Sequence, residues 1–472
     1  PFTGQRKKAE TEWRKGNQVD AVADVVFWGV QAVFAGGGLF FLLLTVSSFW
    51  EQEFRACLIC LGFILAWALL WTFVTTHDSS VLNLVFFTGA VLFSIVSLFR
   101  FFPETNRAMD LSAAIQFDER DHMFARNNLK NHPDLADTYY RMRPENHSHD
   151  RQIHSKPDFG DPGQVYFDNY TTPCYEAAFA YLHTTIPASC GEPAGPPREV
   201  DSRKITRTIC DLVRFYGGCD TGFVSLAPHH FYSRKGRHAA GWGEPTDQTH
   251  TTAIVIVVPM EIRMLKNSPT AAVIQESARK YVEAAKISNI VAGYLRQFGY
   301  DARAHNDGNY EVLCVPPAVE SGLGELGRMG IFMHNTRGPC VRLAVVTTTL
   351  ALPDSGPGKA LFMAHFCRIC KKCARNCPSG SITTGDEPKS RGFFHWSIDQ
   401  EKCFSYWKTI GSDCGMCISV CPYTKPNSLA HRLVRFYISR NSVNQRIALF
   451  MDDLLYGRRK KITKSNPDPL FL

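Results

Sequence analysis

The hydrophobic pattern near the start of the chain consists of three long apolar runs. They lie within residues 25–102, contain no charged residue, and read VVFWGVQAVFAGGGLFFLLLTVSSFW, ACLICLGFILAWALLWTFV and VLNLVFFTGAVLFSIVSLF. A helix needs about 20 apolar residues to cross the hydrocarbon core of a bilayer, so each run predicts a membrane-spanning helix. The short connections favour a tight antiparallel array. A buried helical core is the alternative interpretation.

The charges that flank these runs predict an orientation. The basic segment QRKKAETEWRK precedes the first run, and the acidic EQE fills the first loop. The positive-inside rule then puts the N-terminus in the cytoplasm, and three crossings put the rest of the chain on the periplasmic face. We therefore expect a multi-pass protein of the cell membrane that contacts lipid, although Arg100, Arg107 and Arg120 reduce the contrast. His77 is read as a polar loop residue, with a quinone contact as the alternative.

Beyond residue 104 the pattern changes to short strands and one long amphipathic helix. The continuous apolar run TTAIVIVVPM is typical of a strand covered on both faces. Pro269 is expected to open a helix that Gly299 ends, with one mostly apolar face. YEVLCVP and VRLAVVTTTL predict two further strands. Strand, helix, strand and strand together indicate an α/β or α+β core.

The cysteine content is the most unusual feature of the composition. The chain has 472 residues and 16 cysteines, and eight of the cysteines lie between Cys367 and Cys421. Clustered cysteines in a long chain indicate metal ligands, whereas dispersed ones indicate buried thiols. The formal charge of +8 is spread along the chain. That distribution argues against a nucleic acid partner.

The clustered cysteines form two runs with the spacing of a two-cluster ferredoxin. The first is Cys-x2-Cys-x2-Cys-x3-Cys-Pro from Cys367, and the second is Cys-x10-Cys-x2-Cys-x3-Cys-Pro from Cys403. In such proteins the last cysteine of a run binds the other cluster. We therefore predict two [4Fe–4S] clusters, one held by Cys367, Cys370, Cys373 and Cys421, and the other by Cys403, Cys414, Cys417 and Cys377. A pair of zinc sites is the alternative.

Five blocks in chain order resemble the reductive dehalogenases, which are cobalamin-dependent iron–sulfur enzymes. FDERDHMFAR resembles the N-terminal signature of that family, SGLGELGRMG and GPCVR resemble its central blocks, the cysteine runs match in spacing, and MDDLLYG resembles its C-terminal end. The resemblance covers about residues 105–460. It implies an α+β fold, in which a nitroreductase-like cobalamin-binding core carries a two-[4Fe–4S] ferredoxin-like module and follows three transmembrane helices.

The resemblance also implies a division into domains. The expected bounds are 1–103 for a membrane anchor, 104–362 for the catalytic core, 363–430 for the ferredoxin-like module and 431–472 for a C-terminal segment packing on the core. Most family members have a twin-arginine signal and a separate small anchor protein. Here SSFWEQEFRA resembles that anchor protein fused to the catalytic chain, and no twin-arginine motif is visible from Pro1 onward. Glu51 and Glu53 are read as contacts to the catalytic domain or as a solvated turn.

The family match implies the catalytic residues. Tyr281 is the expected proton donor, Arg342 the cation that tunes it, and Asn306 a third catalytic residue. Periodicity alone favours Tyr281 as a core aromatic, and Arg337 is a rival of Arg342. The residues expected to bind the cofactor are Ser277, Gly322, Gly324 and Arg328. The sequence has no Asp-x-His-x-x-Gly element, which fits cobalamin bound without a protein histidine and equally fits no cobalamin at all.

The expected reaction replaces a carbon–halogen bond by carbon–hydrogen in an organohalide, using two electrons and one proton. The electrons would come from quinol or from another membrane or soluble donor, and a homodimer is left open. Two alternatives remain. One is an epoxyqueuosine-reductase-like cobalamin enzyme acting on tRNA. The other is a membrane ferredoxin that only relays electrons, which bound corrinoid in the purified protein would exclude.

Overall fold

The computed structural model describes residues 2–77, 80–99, 111, 113–356, 363–460 and 462. The chain forms two compact units. The first contains Pro1–Thr105 and Asn427–Arg458, and the second contains Asn106–Pro426 and Arg459–Leu472. Arg100 and Arg107, which bear on the predicted orientation, lie outside the described residues.

Helices account for most of the first unit and for more of the second unit than strands do. In chain order the α-helices are α1 (Phe2–Trp50), α2 (Phe54–Thr76), α3 (Ser80–Leu98), α4 (Met123–Asn128), α5 (Pro133–Met142), α6 (His147–His154), α7 (Thr172–Thr184), α8 (Ser202–Phe215), α9 (Ile262–Lys266), α10 (Ala271–Gln297), α11 (Val315–Glu320), α12 (Met363–Cys370), α13 (Lys372–Arg375), α14 (Gln400–Ile410), α15 (Met416–Ser419), α16 (Leu429–Ile438) and α17 (Ser442–Tyr456).

The strands lie in the second unit. They are β1 (Asp220–Ser225), β2 (Thr252–Pro259), β3 (Ala302–His305), β4 (Gly324–Leu326), β5 (Phe332–His334), β6 (Val341–Thr348), β7 (Lys389–Ser390) and β8 (Phe393–Phe394). The main sheet has the order β1-β2-β6-β3, and all three pairings are antiparallel. The mixed helix-and-sheet prediction is therefore confirmed.

The first unit contains the three apolar runs as helices. The segments Ala21–Trp50, Phe54–Thr76 and Val81–Leu98 are each long and apolar enough to cross a membrane. Glycines let α1 approach its neighbours closely. A side chain at Gly37 would lie 2.5 Å from the Trp67 ring of α2, and one at Gly29 would lie 2.3 Å from the Phe87 ring of α3.

Helices α16 and α17 also belong to the first unit. Ala430 and Leu455 are buried in one apolar cluster with residues of α1 and α2. The side-chain amide of Asn441 donates to Val96 O and Phe99 O at 2.9 and 3.0 Å, and so satisfies carbonyls at the end of α3. The expectation that 431–472 packs on the catalytic core differs from this arrangement, because the polar end of α3 and the apolar sides of α1 and α2 supply the contacts.

In the second unit, β2 is the central strand and is covered on both faces as predicted. Ile254 and Ile256 pack in one cluster with α8 and α10, whereas Val255 and Val257 pack in another with α11 and the β4–β5 hairpin. The long helix α10 lies between the predicted limits at Pro269 and Gly299. One face of α10 packs against the sheet.

One predicted strand is not a strand. In YEVLCVP, Val312 makes an isolated bridge with Phe231, and α11 begins at Val315. Two prolines at the start of that helix fix φ near the helical value. They also lack the backbone N–H groups that a strand would donate to its neighbour. The short strand β3, which pairs with β6 instead, was not predicted.

Candidate active site and iron–sulfur centres

The two cysteine runs fold into helical turns separated by left-handed residues. Lys371 has φ 54° between α12 and α13, and Cys414 has φ 60° just before α15. Each sharp reversal turns the following thiol back toward the preceding one. The last cysteine of each run lies beyond α13 or α15, where it can face the other run.

Electrostatic interactions link the thiols within each predicted set of four and also between the two sets. Cys421 interacts electrostatically with the thiols of Cys367, Cys370 and Cys373. Cys403 interacts with Cys414 and Cys377, and Cys417 interacts with all three of these. A further interaction of Cys417 with Cys373 places the two sets next to each other.

Burial makes these thiols costly to ionise. It raises the pKa of Cys367 to about 12 and that of Cys403 to about 12, with further increases from neighbouring thiols. Thiolates are the form that binds iron, so the sets need the positive charge of a metal to become ligands. The donor set therefore fits [4Fe–4S] clusters.

Arg328 lies beside the first set. It is fully buried, donates from Nε to Cys367 O at 2.9 Å, and donates from Nη1 to Thr383 O and Gly385 O. Its guanidinium also lies 4.5 Å from the centre of the Trp396 ring. These contacts hold the cluster loop, while Nη2 of Arg328 is buried without a hydrogen-bond partner among the described residues. Its role in binding cobalamin stays a prediction.

Arg126 in the block FDERDHMFAR makes ion pairs next to the second set of cysteines. Arg126 is 2% exposed and pairs with Asp150 at 2.7 Å and with Glu401 at 2.8 Å. Glu401 lies two residues before Cys403 in α14. The buried arginine thus connects α4 with the helix that carries a cluster ligand.

The predicted proton site is assembled around Arg342. The guanidinium lies 4.9 Å from the centre of the Tyr281 ring, and Nη2 donates to Ser277 Oγ at 2.5 Å. The same nitrogen lies 3.3 Å from Asp413 Oδ2. Ser277 hydrogen-bonds Asp413 as well and so helps to position this group, and its contact with a cofactor stays a prediction.

The acidity of Tyr281 differs from the simplest expectation. Burial raises its pKa to about 12, and Arg342 acts in the opposite direction. The guanidinium therefore favours the phenolate, but burial has the larger effect. Tyr281 stays protonated at neutral pH, as a proton donor must.

Asp413 is the residue of this site that sequence reasoning missed. Burial raises the pKa of its carboxyl, whereas Arg342 and Ser277 lower it. It directly precedes Cys414 in the chain, so a cluster ligand and the partner of Arg342 are adjacent residues. Its position inside GSDCGMC was the available signal, but only the fold brings it to Arg342.

Asn306 follows β3 and contacts the helix that carries Tyr281. It is 1% exposed, and its side-chain amide lies 3.4 Å from Ser288 Oγ and 3.3 Å from Asn289 Oδ1. The next residue, Asp307, interacts electrostatically with Tyr281. The structure therefore brings this predicted residue to the Tyr281 region.

Two buried polar atoms in this region have no hydrogen-bond partner among the described residues. They are Asn306 Oδ1, an acceptor, and Arg342 Nε, a donor. Such atoms are rare in native proteins and indicate where a ligand supplies the missing partner. The residues here thus fit a bound polar cofactor or substrate.

Gly322 and Gly324 have local structural roles. Gly322 has φ 76° in the turn after α11, where its carbonyl accepts from the Asn335 side chain at 2.9 Å. A side chain at Gly324 would lie 2.1 Å from Met333 O in the paired strand. Both glycines are explained by these close approaches without a cofactor contact.

The histidine pair beside Glu320 is a hydrogen-bonded group. His229 Nε2 and His230 Nε2 each lie 2.9 Å from one oxygen of Glu320. His230 Nδ1 accepts from the Ala227 backbone N–H at 3.0 Å, which places the ring proton on Nε2. A protonated Nε2 cannot ligate a metal, so this group is structural.

Comparisons with known proteins agree with this geometry. Residues 366–425 match the family described as 4Fe-4S dicluster domain. The chain is 33% identical over 224 residues to the tetrachloroethene reductive dehalogenase of Sulfurospirillum multivorans. This match covers 46% of this chain and 44% of that protein. It is 28% identical over 153 residues to an epoxyqueuosine reductase of Synechococcus sp. (strain RCC307), covering 29% and 43% of the two chains.

A solved structure shares the fold. A reductive dehalogenase described as carrying out B12-dependent dehalogenation has a TM-score of 0.60 at 21% identity, over 77% of this chain and 49% of that one. The fold and the cysteine sets define an iron–sulfur protein with an α+β core. By sequence the chain is similar to reductive dehalogenases, and it spans less than half the length of the tetrachloroethene enzyme it matches.

Proposed function

We propose that this chain is a membrane-anchored reductive dehalogenase. The observation that carries the proposal is the continuity from Tyr281 through Arg342 and Asp413 to Cys414. The guanidinium contacts the Tyr281 ring at 4.9 Å and Asp413 Oδ2 at 3.3 Å. A proton donor and an electron-carrying cluster thus meet in one group of residues, as a reaction that consumes both requires.

The electrons are proposed to pass through two [4Fe–4S] clusters. The ligand sets are the two groups of four cysteines, and the electrostatic interaction of Cys417 with Cys373 supports adjacent clusters. The net reaction takes up two electrons and one proton, forms a carbon–hydrogen bond and releases halide. Each cluster carries one electron at a time, so two successive transfers complete the reaction.

Cobalamin would supply the carbon–halogen bond cleavage when bound, a proposal that rests on the relatives. Asn306 Oδ1 and Arg342 Nε are the unsatisfied polar atoms available to a cofactor or substrate. No histidine ligand to cobalt is proposed. The protein groups contribute position, exclusion of water and the proton.

Tyr281 is proposed to give its phenolic proton to the carbon that loses the halogen. The phenolate that remains would be stabilised by the Arg342 guanidinium, which lies against the ring. Asp413 and Ser277 hold Arg342 in that position. Reprotonation from solvent would restore Tyr281 for the next turnover.

The three apolar helices are proposed to anchor the chain in the cell membrane, with the catalytic unit on the periplasmic face. The spans and the basic N-terminal segment support this orientation. A periplasmic catalytic unit would accept electrons derived from quinol, directly or through a partner. The organohalide and the immediate donor are left unassigned, and a homodimer stays open.

The epoxyqueuosine reductase alternative shares the expected cofactors and a weaker sequence similarity. Three helices long enough to cross a membrane favour the dehalogenase, because an enzyme acting on tRNA has no need of them. A membrane ferredoxin would not require Tyr281 and Arg342 to be held together beside a cluster.

The experiment is to measure metals and turnover on the purified full chain. We expect about eight iron atoms and one corrinoid per chain, and halide release from an organohalide panel with a strong artificial reductant. Stoichiometric zinc would contradict the clusters. If iron is present but both corrinoid and halide release are absent, the remaining function is that of an electron carrier.

A further inference from the structure

Helices α16 and α17 carry matching exposed apolar stripes. Within each helix the three residues are spaced by four and then three positions, which places them on one face. Their side chains are between 38% and 67% exposed. The residues are Leu429, Leu433 and Phe436 in α16, and Val443, Ile447 and Phe450 in α17.

An exposed arginine borders each stripe at the same relative place. LAHRLVRF in α16 and VNQRIALF in α17 share the order apolar, two residues, Arg, apolar, two residues, Phe. Arg432 and Arg446 therefore lie one residue before the second apolar position, at the edge of the stripe. A long arginine stem can follow apolar surface while its guanidinium reaches a polar layer.

The opposite faces of both helices are already occupied. Ala430 and Leu455 are buried against Leu44, Ala56 and Cys60 of α1 and α2. The amide of Asn444 donates to Ser97 O of α3 at 2.9 Å, next to the Asn441 bonds. These contacts fix the hairpin formed by α16 and α17 within the first unit. The stripes are the faces of this hairpin that stay exposed.

The depth of the hairpin along α1 matches the boundary of a bilayer. Leu44 lies six residues before the end of α1 at Trp50, which corresponds to about 9 Å at the helical rise. Amphipathic helices that lie in the plane of a membrane bury their apolar face by about 5–10 Å. The stripes are thus continuous with the apolar surface of the spans.

We propose that α16 and α17 form an in-plane hairpin in the membrane interface. The two stripes insert among the acyl chains at the edge of the bilayer, and Arg432 and Arg446 contact lipid phosphates. This inference rests on the proposed membrane anchoring and adds a second lipid contact, contributed by the C-terminal helices. It assigns the exposed face to lipid and not to a second copy of the chain.

Photo-cross-linking of the full chain tests this directly. The chain is reconstituted in vesicles of phosphatidylethanolamine and phosphatidylglycerol, with p-benzoylphenylalanine replacing Phe436 or Phe450. Phe93, 55% exposed in α3, is the positive control, and Phe215, 80% exposed in the second unit, is the negative control. All four sites are exposed phenylalanines, and the benzophenone keeps the aromatic ring that at Phe436 lies 4.0 Å from the Arg440 guanidinium. Cluster absorbance checks folding of the second unit, and circular dichroism checks the helices.

We expect phospholipid adducts at Phe436 and Phe450 with yields similar to Phe93 and severalfold above Phe215. Adducts at Phe93 without adducts at the hairpin would overturn the inference and leave the anchor standing. Cross-links from the hairpin to a second copy, or yields no higher than at Phe215, would overturn it equally. Absence of adducts at Phe93 would reject the anchor itself and the inference with it.

Discussion

The cluster loops and the proton site both bury ionisable groups in the second unit. They differ in what offsets the free-energy cost of charging those groups. In the cluster loops, burial raises the pKa of the Cys367, Cys373 and Cys414 thiols to about 12, and the opposing effects of Arg328 and Lys460 are smaller. In the proton site, Arg342 and Asp413 lie 3.3 Å apart with side chains 17% and 14% exposed. The first site needs an external cation, whereas the second contains its own counter-charges.

This difference has a structural consequence. The cluster loops should reach their final order only when iron binds, because buried thiolates without metal are unfavourable. The Arg342 pairing in the proton site should form without any ligand, because Ser277 and Asp413 supply its partners, and only Arg342 Nε and Asn306 Oδ1 remain for a ligand. Substitutions at four positions, which separate iron-dependent effects from proton-site effects, and one pH profile test the contrast.

The largest effect is expected for Cys414→Ala. Removing one ligand should cost the second cluster, leave about four iron atoms per chain and abolish dehalogenation. Iron analysis, electron paramagnetic resonance and halide release measure this. Cys190→Ala, which changes an exposed cysteine outside both sets, is the matched control and should keep full iron. Unchanged iron in Cys414→Ala would remove this residue from the ligand set.

Arg342→Ala should lower turnover by about 10²–10³-fold, on the scale of losing one preorganised electrostatic donor. Arg342→Lys should lose less, because the charge remains while the planar fork is lost. Iron content should stay at the wild-type value in both variants. A loss of iron that matches the loss of turnover would show that Arg342 serves the clusters and not the proton.

Asp413→Asn should have a smaller effect on the same group. It removes the charge beside Arg342 but keeps the shape, which at about 1.5 kcal/mol for a charge-assisted bond corresponds to about tenfold in rate. The loss should fall on kcat more than on KM, since the substrate is not contacted. Asp413→Glu is the matched comparison, and turnover below that of Asn in this variant would indicate a packing role.

The smallest effect is expected from pH. Because burial raises the pKa of Tyr281 to about 12, the acid form persists above the ordinary tyrosine pKa of about 10. Tyr281 should therefore stay protonated between pH 9 and pH 10, because pH 10 is still about two units below its pKa. Turnover should not fall in this range through loss of the proton donor. A reversible decline in this range, present in wild type and absent in Tyr281→Phe, would contradict the assignment of the raised pKa.

The iron–sulfur domain could be predicted from the sequence because the cysteine spacing is local, and the 4Fe-4S dicluster match over residues 366–425 confirms it. Cys367 to Cys377 lie within eleven residues, and a proline after each run marks its end. The exchange of Cys377 and Cys421 between the sets follows from ferredoxin spacing and stays a prediction. The buried strand β2 and the helix α10 were also predictable, since an apolar run and a regular periodicity are properties of single segments.

The proton site could not be completed in the same way. Ser277, Arg342 and Asp413 come from a helix, a strand and a cluster loop separated by about 65 and 71 residues, and only the fold brings them together. The three backbone carbonyls that bind Arg328 could not be predicted either, because only the fold brings them to its guanidinium. The packing of α16 and α17 on the N-terminal helices was missed for the same reason.

The measurement that tests the central claim most directly is turnover of Tyr281→Phe with clusters and corrinoid fully loaded. The change removes one hydroxyl and keeps the ring that packs at 4.9 Å from the Arg342 guanidinium. With a strong artificial reductant in excess, we predict a loss of about 10²–10⁴-fold in halide release, the range for general acid catalysis. Turnover close to wild type at equal cofactor content would contradict the account and make Tyr281 a packing residue.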